Sequence, residues 1–248
     1  MFPIRDHNPS EKTPFVTWAL IALNVAIHLW AISAAAGPAE LYRLWYAYGL
    51  VPAELSRGQG LWSLVTSMFL HGGLLHLGGN MLFLWIFGDN LEEELGHGGF
   101  LLFYLASGVG AALAQWLAAP FSTVPMIGAS GAIAGVMGGY LLLFPRARVD
   151  VLIFIVIIIR IIPVPAWLVL LAWLGIQVAQ GAVADAQGGG VAYWAHAGGF
   201  VVGFALVLPV WLAKGGPGYW RRTDGHPPHP EARWGPLEQS RVPRVRRR

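Results

Sequence analysis

Residues 128–135 read Gly-Ala-Ser-Gly-Ala-Ile-Ala-Gly (GASGAIAG), and how this stretch is read decides the fold. Small residues fill it, apolar sequence surrounds it, and one hydroxyl, Ser130, stands between glycines. One reading is close packing. Gly131, Gly135 and Gly139 recur every four residues, the small-xxx-small pattern that lets membrane helices approach, with Ser130 a packing residue. The other reading is chemical. Gly128 and Gly131 leave the backbone free to turn tightly and let a helix or a substrate come close. The first N–H groups of a helix have no internal partner, so they can donate to an oxyanion forming beside Ser130. The stretch alone leaves both readings open.

Composition places it in a membrane. The chain has 248 residues, is 56% hydrophobic and only 12% charged, against ~25% charged for a soluble domain. A mean hydropathy of +0.56 over this length reflects several separate apolar runs, each about 20 residues, the length of helix that crosses a bilayer core. The absence of cysteine excludes a disulfide framework, a thiol nucleophile and Cys-ligated zinc or iron–sulfur. Twelve Trp and seven Tyr suit a protein anchored at two membrane–water interfaces.

The expected fold is therefore an all-α polytopic membrane protein with six transmembrane helices. Spans fall at 15–35, 70–91, 100–119, 130–144, 167–183 and 195–212. Residues 1–14 read as a polar cytoplasmic N-terminal segment, 15–213 as the six-helix domain and 214–248 as a basic, Pro- and Gly-rich cytoplasmic tail that cannot bury enough to fold alone and is expected to be disordered. The first span reads as an uncleaved membrane helix, a cleaved signal peptide being the lesser reading. The aromatic loop 37–61 reads as an interfacial segment. Residues 149–162 are too short to cross before Pro163 and Pro165, and read as interfacial or shallowly inserted. Of the 16 Lys and Arg, only Arg43 and Arg57 fall in the first loop and none between spans three and four or five and six. The positive-inside rule then puts both termini in the cytoplasm. The tail, ending Arg246-Arg247-Arg248, reads as lipid-attracting, with no nucleic-acid partner expected.

This orientation starts the fourth span, at Ser130, and the sixth span, near His196, on the same non-cytoplasmic side. Polar side chains inside spans are costly and are functional candidates by default. His196, Gly199 and Gly203 share one helical face, which the glycine ladder of the fourth span matches. Close packing of the two faces brings Ser130 and His196 to one depth, and a histidine beside a serine is the base that nucleophilic catalysis needs. His76 and Asn80, four apart in HGGLLHLGGN (71–80), face one side of the second span and carry N–H donors. They read either as oxyanion donors together with the Ser130 N–H or as inter-helix glue. His71, at the loop edge, reads as a structural hydrogen bonder. No acidic residue lies near His196 within its span; Asp185 is in the preceding loop and Glu92 is at the far side of the membrane. The expectation is a Ser–His dyad whose imidazole is oriented by packing and backbone. No metal or other cofactor is expected, since no H-E-x-x-H occurs and the histidines lack a nearby carboxylate.

Taken together, His76-x-x-x-Asn80, Gly128-x-Ser130-Gly131 and Ala195-His196-x-x-Gly199-x-x-x-Gly203 resemble the rhomboid family of intramembrane serine proteases, in the family's order. The resemblance covers about residues 48–210, and YGLVPAEL, LVTSMFLHGG and FGDNLEEELG look like bacterial members. It implies a six-helix fold with a water-filled cavity open to the non-cytoplasmic side, in a bacterial inner membrane. It implies Ser130 as nucleophile, His196 as base, His76 and Asn80 at the oxyanion positions and Glu92 as structural. The implied partners are transmembrane segments of substrate proteins and the lipid bilayer. The alternative is a proteolytically inactive member that binds membrane-protein clients. Two departures stand out. Trp62-Ser63 replaces a Trp-Arg pair frequent in the family, and Ala134 stands where some members carry an aromatic that stacks on the histidine.

Overall fold

Helix dominates, as the apolar runs predict. The computed structural model describes residues 2–155, 158–184 and 190–232. In chain order the elements are β1 (Phe2–Asp6), α1 (Phe15–Ala34), α2 (Pro38–Tyr48), α3 (Pro52–Leu55), α4 (Ser63–Thr66), a 3-10 turn (Ser67–Phe69), α5 (Leu74–Ala118) and α6 (Ser130–Leu143). Then follow β2 (Arg148–Ile155), β3 (Ile158–Pro165), α7 (Ala166–Val183), α8 (Tyr193–Ala213) and α9 (Pro217–Thr223). Among the described residues four helices are long and apolar enough to cross a membrane: α1, α5, α7 and α8. The expected second and third spans form the single run α5, which breaks at Gly96 (φ 70°, ψ 162°), a conformation open to glycine. The expected fourth span, α6, has only 14 residues.

α6 is the centre of the bundle. All of its residues except Ser130 and Leu141 are buried, as suits a helix that is apolar on every face. α5 and α8 pack against it. The outer helices bury one stripe each. α1 turns Thr17, Leu20, Asn24, His28 and Ala31 inward and leaves Trp18, Leu23, Leu29 and Trp30 exposed. An outer surface that is apolar to this degree has hydrocarbon as its solvent. α1 begins on Glu92, whose carboxylate accepts from the Val16 N–H (2.8 Å), the Thr17 N–H (2.7 Å) and the Thr17 hydroxyl (2.7 Å). An anion there satisfies amides that the helix leaves unpaired and complements its dipole.

The all-α expectation needs one correction. Residues 149–162, expected to be interfacial or shallowly inserted, include strand rather than helix. Their described part forms the hairpin β2–β3, and β1 adds to β2 to make a three-stranded antiparallel sheet in the order β1-β2-β3. The cause is local. Val149, Val151, Ile161 and Ile162 are β-branched and stiff at χ1, which favours strand over helix. Pro163 and Pro165 forbid helix there and are tolerated because β3 is an edge strand. The N-terminal segment is thus part of the fold. Asp150 in β2 accepts from Arg5 Nε (2.7 Å) and contacts His7 Nε2 (2.8 Å). Asp6, next in β1, accepts from the Tyr140 hydroxyl of α6 (3.0 Å).

The tail expectation is corrected as well, for residues 214–232. Tyr219 of α9 is buried, Trp220 Nε1 donates to the Leu142 carbonyl (2.9 Å), Lys214 pairs with Glu94 (2.5 Å), and Asp224 pairs with Arg146. This segment does not fold alone but folds onto the end of the helical bundle. The remainder, 233–248 with Arg246-Arg247-Arg248, lies outside the described residues.

Helices α6 and α8 touch backbone to backbone. A methyl group on Gly199 would fall on the Gly131 carbonyl, and one on Gly203 on the Gly135 carbonyl. Replacing Gly203 by Ala therefore forces the helices apart. The expected cost is about 1–3 kcal/mol, the range for overpacking a filled core, read as a lower midpoint in detergent-solubilised unfolding.

Asp150 generates a second prediction. Burial pushes its carboxyl upward, but the hydrogen bonds from His7 and Arg5 hold it below the ordinary value of 3.8. A group depressed in the folded state stabilises above its unfolded value and loses that contribution as pH falls through the folded one. Asp6 runs the other way, since burial and the Asp89 carboxylate raise it. The comparison of wild type with Asp150→Asn isolates Asp150. At pH 7 the variant loosens residues 2–8 by ~2 kcal/mol, a typical cost for hydrogen bonds to a charged group. Amide exchange of that segment measures it, and the difference between the two proteins vanishes in acid below the ordinary aspartate value.

Candidate active site

Ser130 is the first residue of α6, and His196 lies in the first turn of α8. The glycine contacts described above fix the depth of the two helices. At that depth His196 Nε2 stands 2.7 Å from Ser130 Oγ. The first turn of α8 is further held by Gln115 of α5, whose side-chain carbonyl accepts from the Ala195 N–H (3.2 Å). Close packing is thus the means by which the histidine reaches the serine, and the two readings of GASGAIAG describe one arrangement.

His76 and Asn80 project from α5 toward the same space. His76 Nδ1 accepts from the Gly72 N–H (3.3 Å). A neutral imidazole that accepts at Nδ1 carries its proton on Nε2. That Nε2 lies beside Gly128, where a methyl group would come within 2.8 Å of it and 3.6 Å of Ser130 Oγ. Asn80 is buried, and its Nδ2 has no hydrogen-bond partner among the described residues. A buried donor left without a partner is uncommon, and this one borders a cleft of about 580 Å³ that is also lined by His76, Ser130 and His196. The N–H groups of the first turn of α6 have no partner within their helix. Three donors, His76 Nε2–H, Asn80 Nδ2–H and the Ser130 N–H, therefore border one small volume next to a serine–histidine pair.

Gly128 makes this possible. Its φ of 128° is a backbone conformation that side chains disfavour, and its amide donates to the Ser67 carbonyl (2.9 Å). The turn into α6 is thereby tied to the 3-10 turn ahead of α5.

Other expected residues fall elsewhere. His71 is buried 5.1 Å from the His76 ring, centroid to centroid, and 6.4 Å from that of His28. The Phe69 backbone lies beside its ring. Glu92 is far from the pair and caps α1. Ser63 closes its own loop by donating to the Gly60 carbonyl (2.6 Å). Asp185 lies outside the described residues. Among those described, no cluster of three or more His, Asp or Glu is placed to hold a metal ion.

Two residues escaped the sequence reading, and both come from α7. Gln177 Oε1 stands 2.7 Å from His196 Nδ1. Trp173, one turn earlier, lies against the His196 ring at 5.6 Å and 34°. The signal for Gln177 was present, because an amide within a membrane span is a functional candidate by the same rule that marked His196. Trp173 looked like any other apolar residue of its span. It supplies from α7 the ring that Ala134 cannot supply from α6.

The comparisons with known proteins agree with this architecture. A family model described as "Rhomboid domain" matches residues 58–213. Rhomboid protein 1, mitochondrial, of Saccharomyces cerevisiae is 33% identical over 195 residues, covering 76% of this chain and 51% of that protein. Rhomboid protease GluP of Bacillus subtilis is 36% identical over 128 residues, 52% of this chain and 24% of that protein. Rhomboid-like protein 11, chloroplastic, of Arabidopsis thaliana is 49% identical over 71 residues, 29% of this chain and 25% of that protein. The matched stretches thus span between about a quarter and about half of these relatives. The chain belongs to the rhomboid family.

Gly128→Ala tests the convergence of donors. The added methyl both strains the backbone and pushes on His76. Labelling of Ser130 by a fluorophosphonate is expected to slow by roughly tenfold or more, as for loss of an oxyanion donor, and the unfolding midpoint to fall by the equivalent of about 1–3 kcal/mol of backbone strain.

Proposed function

We propose that the chain is an intramembrane serine endopeptidase that cuts transmembrane segments of membrane proteins near the non-cytoplasmic face. The observation that carries the proposal is the 2.7 Å approach of His196 Nε2 to Ser130 Oγ, at the edge of a cleft bordered by unpaired donors. One of the relatives above is named a rhomboid protease, which supports the same class of chemistry.

In this mechanism Ser130 Oγ attacks the scissile carbonyl while His196 Nε2 takes its proton. The tetrahedral oxyanion is held by the Ser130 N–H, His76 and Asn80, donors that need no reorganisation as charge develops. His196 returns the proton to the leaving amine, which departs and leaves an acyl-enzyme on Ser130. Water entering the cleft gives a proton to His196 and attacks the ester, and Ser130 is restored. An intact substrate helix protects every amide with its own hydrogen bonds, so cleavage favours segments with small or helix-breaking residues at the cut. No metal or nucleotide takes part. The chain crosses the bilayer six times, the two halves of α5 and the short α6 each counting as a crossing. Both termini are cytoplasmic, as the distribution of Lys and Arg directs, and the host membrane is a bacterial plasma membrane.

The test is cleavage of a model transmembrane substrate by the full chain in proteoliposomes. Ser130→Ala and His196→Ala are each expected to lower the rate by roughly 10³-fold or more, and Asn80→Ala by roughly 10²-fold. Near wild-type rates in either of the first two would sink the assignment. Wild type that neither cleaves nor takes up a fluorophosphonate at Ser130 would point instead to an inactive member that binds its clients.

A further inference from the structure

The sequence left His196 with nothing but packing and backbone to orient it. The structure gives both of its ring nitrogens a side-chain partner, Ser130 Oγ and Gln177 Oε1, each at 2.7 Å. A neutral imidazole has one N–H and one lone pair, and which nitrogen carries which decides whether it can act as a base toward Ser130. The serine hydroxyl cannot make that choice, because it both donates and accepts. A carbonyl oxygen can only accept. We propose that Gln177 is a positioning residue of the active site, whose side-chain carbonyl holds the proton of His196 on Nδ1 and so leaves the Nε2 lone pair facing the Ser130 hydroxyl. This inference rests on the reading of His196 as the base.

The chemistry of the surroundings explains why an amide stands at this position. Gln177 is buried, on a helix that is otherwise apolar along its inner stripe of Ala166, Leu170 and Gly181. A carboxylate in such a place carries a heavy desolvation cost. An amide offers the same acceptor oxygen without the charge. When His196 takes the serine proton, the Nδ1–H···O bond persists and is strengthened, because its donor is now cationic. The amide takes no proton at any step. The proton that leaves Ser130 stays on Nε2 until the leaving amine receives it.

Trp173 completes the hold. It lies four residues before Gln177, on the same face of α7. Its ring packs on His196 at 5.6 Å and on Phe200 of α8 at 6.4 Å. The indole fixes the plane of the imidazole, and the amide fixes its rotation within that plane and its tautomer. Gln177 does not line the cleft and acts through His196, while Trp173 lines it beside His196.

The experiment uses the full chain in detergent micelles or proteoliposomes. The nitrogen NMR signals of His196 are assigned by difference from His196→Ala. In wild type they are expected to show a protonated Nδ1 and an unprotonated Nε2, and Gln177→Met is expected to lose that preference. In the cleavage assay Gln177→Met, which keeps length and packing, is expected to lower kcat by roughly 10–100-fold, within the range of general-base catalysis, with KM near wild type. Gln177→Glu keeps the acceptor oxygen and is expected to recover most of that loss. Unfolding midpoints of the variants report whether each is folded. Three results would overturn the inference: a wild-type His196 that carries its proton on Nε2, a folded Gln177→Met with unchanged kcat, or Met and Glu variants impaired alike. A wild type that cleaves nothing would instead refute the protease reading, and the NMR arm would still decide for or against the role of Gln177.

Discussion

The backbone contact between α6 and α8 is the constraint on which the site depends. The carbonyls of Gly131 and Gly135 occupy space that any side chain on Gly199 or Gly203 would need. Such a contact has one depth, because sliding either helix by a residue brings a side chain against a backbone. Within a bilayer there is little hydrophobic force to draw helices together, and the van der Waals contact of close backbones takes its place. Ser130 and His196 each sit in the first turn of one of these helices. A fixed relation between two rigid rods therefore becomes a fixed relation between a hydroxyl and an imidazole. It needs no flexible loop to maintain it, and a fixed geometry of this kind is what the proposed chemistry requires.

Several polar groups around that contact have hydrogen bonds that are closed within the protein. Glu92 accepts from the start of α1, Gln115 accepts from the start of α8, and Asn8 donates to the Tyr140 hydroxyl at 2.6 Å. Where the proposed chemistry lies, the hydrogen bonds are open. Among the described residues Asn80 Nδ2 is buried without a partner, and His76 Nε2 faces the cleft. Unpaired donors away from water carry a free-energy cost, and that cost is offset only when charge develops beside them.

The parts of this arrangement that were legible in the sequence are those encoded by short-range spacing. Ser130 between glycines, His196 with Gly199 and Gly203, and His76 with Asn80 are each patterns on one helix. Their shared depth followed from the distribution of arginine and lysine. The sheet was less legible because its pairing is long-range. Nothing in Phe2–Asp6 announces that Arg5 will stand opposite Asp150. The length and apolarity of 149–162 do not distinguish strand from helix, whereas the β-branched character of its Val and Ile favours strand. The tail was misread for a related reason. Its composition is too polar to make a core alone, yet Tyr219 and Trp220 need only complete one that already exists.

The exchange of an aromatic at position 134 for Trp173 has a structural consequence. In family members with the ring four residues after the serine, nucleophile and ring share a helix. Here Ala134 is fully buried on α6, and the ring reaches His196 from α7. His196 is then held between two helices of different character. α8 is locked to α6 through backbone contact. α7 fully buries only Ala166, Leu170, Gln177 and Gly181, with Val169, Trp173 and Leu174 partly buried beside that stripe. The positions of Ser130 and His196 thus depend on the most tightly packed pair of helices. The orientation of the His196 ring depends on a helix with a narrow contact. A displacement of α7 that leaves the α6–α8 contact intact would leave Ser130 and His196 in place, while removing both the acceptor at Nδ1 and the ring that flanks the imidazole.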